Sequence, residues 1–262
     1  MRSMLRRTIV LTVVLLCSAG AWAQAAKPEM LLYCGITMVR PMTEIAQLFE
    51  KRENVRIAIA QGGSEDLYQS AKKSGVGDWY LPGEPSYRDK HLAEGLFGDQ
   101  VTVGHNQMAM MVLKGNPKKV KADLHELLRE DLAVVIGSPE RGAIGLETQQ
   151  ILKQAGLFDK VVRGAAALAP DSRSLNLMLK RGEADVIVNF RATAYFPDNA
   201  AHMEALDLDP RIAKPQPLWL SLTTVAKNPR VARRFMQYAA GPEGQAIFRK
   251  YGFLDNQTPV RP

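Results

Sequence analysis

Met30-Leu-Leu-Tyr-Cys34, Gly35-Ile-Thr-Met-Val-Arg40 and Pro41-Met-Thr-Glu-Ile-Ala-Gln-Leu-Phe-Glu50 follow one another without interruption. The first run is short and apolar throughout, the composition of a strand buried on both faces. The third places Met42, Ile45, Leu48 and Phe49 at helical spacing, which makes one apolar face. Pro41 suits the first helical position, where its missing N–H would have no acceptor in any case. A short loop carrying Gly35 and Thr37 lies between them. Strand, small-residue loop and amphipathic helix in this order predict an α/β fold with mainly parallel sheets.

The rest of the chain repeats that order. Val55-Arg-Ile-Ala-Ile59 reads as a strand, and Gln61-Gly-Gly-Ser64 turns into a helix with Ser64 as N-cap and Glu65 and Asp66 in the first turn. Val101 to Leu113 is a long apolar stretch of mixed strand and hinge character. Leu132-Ala-Val-Val-Ile136 is a strand, Gly142-Ala-Ile-Gly145 leads into a helix from Leu146 to Ala155, and Gly156 closes it. Asp171-Ser172 caps a helix ending at Gly182, and Ala184 to Asn189 is a further strand. Four junctions, Cys34–Pro41, Ala60–Glu65, Gly137–Leu146 and Ala169–Leu175, therefore each run from a strand into a helix N-terminus. Such a junction offers unpaired backbone N–H groups and the positive end of a helix dipole to an anion. Thr37, Ser64 and Ser172 add hydroxyls at three of them; taken singly, each is better explained as a helix cap.

The first 23 residues give an address. Arg2, Arg6 and Arg7 precede the apolar run Thr8 to Cys17, and Ala21-Trp22-Ala23 supplies the small-x-small pattern of a signal-peptidase site. The run is too short for a bilayer span, which takes ~20 residues. Leu16 before Cys17 argues against a lipid-anchoring motif. A signal peptide cleaved after Ala23 and a periplasmic mature chain are expected. Removing the leader takes three arginines and no acids, so the net charge of +7 becomes +4. No Lys/Arg run is dense enough for a nucleic-acid stripe. Of the two cysteines only Cys34 survives cleavage, which excludes an intramolecular disulfide. His91, His105, His125 and His202 show no metal-ligand spacing, so neither metal nor cofactor is expected.

Several segments together resemble the periplasmic solute-binding proteins of ABC importers, particularly the molybdate-binding group. Tyr33 to Glu50 is similar to that group's first strand, its Ala-Ala-Ser-type loop and the helix that follows. Gln61-Gly-Gly-Ser-Glu-Asp-Leu67 resembles its serine-bearing second loop, and Gly77-Asp-Trp-Tyr80 stands where the group reads Ala-Asp-Val-Phe. Val135-Ile-Gly-Ser-Pro-Glu-Arg-Gly-Ala-Ile-Gly145 resembles its second-lobe loop, and Gly241 to Phe253 its closing helix. The resemblance implies two α/β lobes of the type II periplasmic binding fold, joined by two crossovers at Val103–Asn106 and Lys214–Pro217. Lobe I would comprise residues 24–105 and 217–262, and lobe II residues 106–216. It further implies an oxyanion of the molybdate or tungstate kind in the interlobe cleft, with Thr37, Ser64, Ile144 and Ser172 as ligands. The implied partner is an ABC permease in the inner membrane, the receptor itself acting as a monomer.

Three departures from the group's pattern bear on the ligand, one of them Tyr80-Leu-Pro-Gly-Glu-Pro-Ser-Tyr87 where the group reads Ile-Ser-Ala-Asp. Ile187-Val-Asn-Phe-Arg191 has no tyrosine where the group offers one, and the first loop carries Arg40. Arg40 and Arg191 are therefore expected to supply the missing donors, at least one of them pointing into the cleft; an interlobe or surface salt bridge is the competing role. Three other readings use different residues. An exported enzyme would use Cys34 as nucleophile, although no G-x-S-x-G, H-E-x-x-H or P-loop pattern accompanies it. A ferric receptor would use Tyr80, Tyr87 or Tyr195, and a ligand sensor for a membrane signalling protein would look the same in sequence. A non-enzymatic receptor is the expectation that uses the most of the chain.

Overall fold

A computed structural model describes residues 27–256; the leader assigned to residues 1–23 lies outside the described residues. Two five-stranded sheets carry the structure. The first holds β1 (Glu29–Gly35), β2 (Arg56–Gly62), β3 (Trp79–Leu81), β4 (Phe97–Asn106) and β10 (Gln216–Thr223) in the order β2-β1-β3-β10-β4. The second holds β5 (Met108–Leu113), β6 (Val134–Gly137), β7 (Ala167–Ala169), β8 (Val186–Phe190) and β9 (Met203–Asp207) in the order β7-β6-β8-β5-β9. Helices α1 (Val39–Arg52), α2 (Ser64–Ser74), α3 (Ser86–Asp89), α7 (Pro229–Ala240) and α8 (Pro242–Lys250) belong with the first sheet. Helices α4 (Ala143–Gln154), α5 (Phe158–Gly164) and α6 (Ser172–Lys180) belong with the second.

In each sheet the strands that alternate with helices pair in parallel, β2-β1-β3 in one and β7-β6-β8 in the other. The remaining pairings are antiparallel, β3-β10-β4 and β8-β5-β9. The physical reason is the connection. β4 runs into β5 through Gln107 alone, and β9 returns to β10 through residues 208–215, so these strands pass between the sheets without a crossover helix. Two neighbouring chain crossings are the arrangement that lets two lobes hinge.

Each sheet has its own core. Leu32, Ile45, Phe49, Trp79, Phe235 and Phe248 anchor the first, and Met110, Met111, Val135, Ile136, Leu152 and Ile187 the second. The α1 face behaves as its spacing predicts, with Met42 and Ile45 fully buried. The helix starts earlier than expected, at Val39 after a 3-10 turn over Ile36–Met38, so Pro41 is its third residue. That position is still within the first turn, where no N–H has an intrahelical acceptor. Gly156 and Gly182 take left-handed φ of 69° and 71° just beyond α4 and α6, as helix-ending glycines do. Among the described residues no helix is long and apolar enough to cross a membrane.

Candidate functional site

The four predicted junctions meet. Gly35 to Thr37, Gly63 and Ser64 from the first lobe, and Arg141 to Ile144 and Asp171 to Ser172 from the second, line one cavity of about 50 Å³. It is room for a group of a few heavy atoms, far below the ~300–1,000 Å³ of drug-sized pockets.

In the first lobe, β1 ends at Gly35, where a side chain would lie 2.8 Å from Met38 Cε and 3.1 Å from the Gly83 amide nitrogen. The chain then winds through Thr37, a buried threonine whose hydroxyl donates, among the described residues, only to the soft thioether of Met38, at 2.9 Å. At the second junction the N-cap is Gly63, in extended conformation, and Ser64 is the first residue of α2. The expected role of Ser64 as a cap is therefore corrected. Its Oγ accepts from the Gly83 N–H at 3.1 Å, and its carbonyl accepts from the buried Tyr80 hydroxyl at 2.9 Å. The hydroxyl proton is left to donate into the cavity. Ser64→Ala would thus leave the Gly83 N–H without its acceptor rather than remove a cap.

In the second lobe, the Ser138 N–H donates to the Ala169 carbonyl at 2.8 Å, which ties the third junction to the fourth. Gly142 is extended and α4 begins at Ala143, so the N–H groups of Ala143 and Ile144 stand in the first turn without intrahelical acceptors. Asp171 caps α6 by accepting from the Ser174 N–H at 2.8 Å. Its carboxylate is thereby occupied, and the Ser172 N–H remains available. The lobes touch at the rim: a Cβ on Gly83 would sit 3.1 Å from Ala143 Cβ. Closure of the cleft is written in that contact.

Not every predicted residue arrives. Thr37, Ser64, Ile144 and Ser172 line the cavity. Arg40 does not; it faces an adjoining groove, pairs with Asp198 at 2.8 Å and lies 5.1 Å over the Phe196 ring. Arg191 lines neither, and its expected place in the cleft is corrected. Its guanidinium holds Asp207 at 2.8 Å, the Gly252 carbonyl at 3.1 Å and the Tyr195 hydroxyl at 2.7 Å. The cause is local: Phe190, one residue before it, lines the cavity, and consecutive residues leaving a strand point to opposite sides. Arg191→Gln is therefore expected to leave anion affinity within twofold by calorimetry, while unfolding a few degrees earlier because a clamp on the C-terminal segment is lost.

Arg141, inside the Val135–Gly145 motif but without any spacing signal of its own, also lines the cavity. It is exposed at the rim and has no ion-pair partner among the described residues. Arg141 and the helix N-termini bring positive charge to the cavity, and Asp171 is the one acid among its lining residues. The residues of the other readings sit elsewhere. Cys34 is fully buried and burial pushes its thiol up, away from the thiolate. Tyr80 is committed to the Ser64 carbonyl and Tyr195 to Arg191.

Two lobes of this topology with a small cavity between them define the type II periplasmic binding fold, a class of solute receptors. A family model described as bacterial extracellular solute-binding protein matches residues 30–254, and this chain belongs to that family. The chain is similar to the molybdate-binding protein ModA of Escherichia coli, 19% identical over 238 residues covering 88% of this chain and 91% of that protein. Its fold is similar to the periplasmic molybdate-binding protein of Azotobacter vinelandii (TM-score 0.73, 16% identity, covering 87% of this chain and 100% of the other). It is similar likewise to the sulfate-binding protein SubI of Mycobacterium tuberculosis (TM-score 0.77, 14% identity, 89% and 88%).

Proposed function

We propose that this protein is the periplasmic receptor of an ABC importer and that it captures a tetrahedral oxyanion between its lobes for delivery to the permease. Molybdate and tungstate are the expected inorganic members of that ligand class. One observation carries the reading: four strand-to-helix junctions, two from each lobe, converge on a single small cavity. Hydroxyl groups of Thr37 and Ser64 and the N–H groups of Ile144 and Ser172 are donors that a fully ionised tetrahedral acceptor can use together. Each such charge-assisted bond contributes ~1.5–3 kcal/mol. Because the donors come half from each lobe, the anion interacts fully only with the closed arrangement and so shifts the protein towards it.

The signal peptide and its cleavage after Ala23 complete the reading by placing the receptor outside the inner membrane. A thermal-shift screen of the mature chain against molybdate, tungstate, sulfate, phosphate and ferric salts tests it, since only ligands of the folded state raise the midpoint. A rise with one or more tetrahedral oxyanions is expected, and a rise with ferric salts alone would overturn the reading. Arg141→Gln is expected to weaken the best anion about tenfold and to flatten the salt dependence of its binding, read by calorimetry at two ionic strengths.

A further inference from the structure

The oxyanion cavity opens on one side. Ile36, Thr37 and Ser172 line it and also line a larger groove of about 440 Å³ between the lobes. A lone tetrahedral anion would fill the cavity and leave the groove to water, yet the groove has a distinct chemistry. Arg40, Arg173 and Lys180 face it, with Asp198 as its one acid. Asp198 is taken by Arg40 at 2.8 Å, so that pair is neutral within itself. Among the described residues Arg173 has only the Gln61 carboxamide, at 3.5 Å, and Lys180 only the Asp198 main-chain carbonyl, at 3.4 Å. Neither forms an ion pair among the described residues, and the groove holds two uncompensated cations.

Both belong to α6, the helix whose first residue, Ser172, lines the oxyanion cavity. Arg173, Leu177 and Lys180 fall four and three residues apart and so share one stripe of that helix. Both residues line the groove into which the oxyanion cavity opens beside Ser172. Leu177 is 41% exposed, and with Phe196 it provides an apolar surface beside them. Cations next to apolar surface, one step from an oxyanion site, match a molecule with two acidic groups and a short carbon chain.

We infer that the ligand is a short-chain phosphate monoester bearing a carboxylate: its tetrahedral head occupies the cavity, its carbon body lies along Leu177 and Phe196, and its carboxylate meets Arg173 and Lys180. This rests on the reading of the cavity as an oxyanion site. It adds a second recognition point that inorganic anions cannot use.

Calorimetry with three probes separates the possibilities. Inorganic phosphate supplies the head alone, glycerol 2-phosphate adds the carbon body, and 2-phosphoglycerate adds the carboxylate on the same skeleton. The wild-type protein is expected to bind 2-phosphoglycerate at least tenfold more tightly than glycerol 2-phosphate and inorganic phosphate. In Arg173→Gln/Lys180→Gln that advantage is expected to vanish while the affinity for inorganic phosphate stays within threefold. Equal or weaker binding of 2-phosphoglycerate by the wild type, with bare oxyanions still bound, overturns this inference and leaves the receptor reading standing. A uniform loss for all three probes in the double variant also overturns it, because that is a general field effect. If no tetrahedral oxyanion binds, inorganic or organic, both readings fail together.

Discussion

Replacing Gly145 by alanine is expected to weaken oxyanion binding a hundredfold or more and to lower the unfolding midpoint. Gly145 lies in the first turn of α4, and a Cβ there would fall 1.8 Å from the Ser138 carbonyl oxygen and 2.8 Å from the Pro139 nitrogen. Both atoms are backbone, so no side chain can swing away to make room. The loop 138–142 must move outward, and it carries Arg141 and sets the position of the Ile144 N–H. Overpacking of this kind costs ~1–3 kcal/mol of stability. The loss in binding is larger in effect because two donors leave their places together, and a hundredfold corresponds to ~2.7 kcal/mol. Gly164→Ala is the matched control, since nothing lies within 4 Å of the added methyl. Calorimetry and thermal melts on both variants check this, and a Gly145→Ala protein binding as tightly as Gly164→Ala would show that the loop takes no part in the site.

The second large effect depends on pH. Glu147, one helical turn beyond Ala143 and 3% exposed, leaves its Oε1 without a hydrogen-bond partner among the described residues. Burial, and after it the charge of Glu84 from the other lobe, push its carboxyl up to about 7 from an ordinary 4.5. A raised carboxyl binds its proton more tightly in the native state than in the unfolded chain. Between pH 4.5 and 7 the native state therefore holds more protons, and stability falls as pH rises through that window. The full difference amounts to ~3 kcal/mol. Melts of the wild type are expected to show a higher midpoint at pH 5 than at pH 8. Glu147→Gln, which stays neutral in the same shape, is expected to remove most of that difference. A wild-type profile flat from pH 5 to 8 would mean that Glu147 is solvated or paired.

The sequence carried the architecture further than the site. Strands β1, β6 and β8 are legible because they are short apolar runs, and α1 because Met42, Ile45 and Phe49 repeat at helical spacing. The convergence of Thr37, Ser64, Ile144 and Ser172 follows from the same pattern, since strand-to-helix junctions gather at one end of a sheet. What was not legible depends on direction. Arg40 and Arg191 are adjacent in sequence to cavity-lining segments, yet helix phase turns one towards Asp198 and strand alternation turns the other towards Asp207. Ser64 differs by one position because Gly63, with extended backbone, begins the helix in its place. Gly83 and Ala143 touch only once the lobes are brought together, a relation no local pattern encodes. The β4 and β10 pairing is antiparallel for the same reason: it is fixed by where the chain crosses between lobes.

The central claim is that an oxyanion is held in the cavity where those junctions meet. It is tested most directly by calorimetry on Thr37→Val and the Thr37→Val/Ser64→Ala double variant, using the tetrahedral anion that gives the largest thermal shift with the wild type. Valine keeps the shape of Thr37 and removes only its hydroxyl. The account predicts that the single variant loses about tenfold in affinity and the double variant more than that, with melts confirming that both remain folded. If both folded variants bind the anion as tightly as the wild type, the ligand sits elsewhere and the proposed site is wrong.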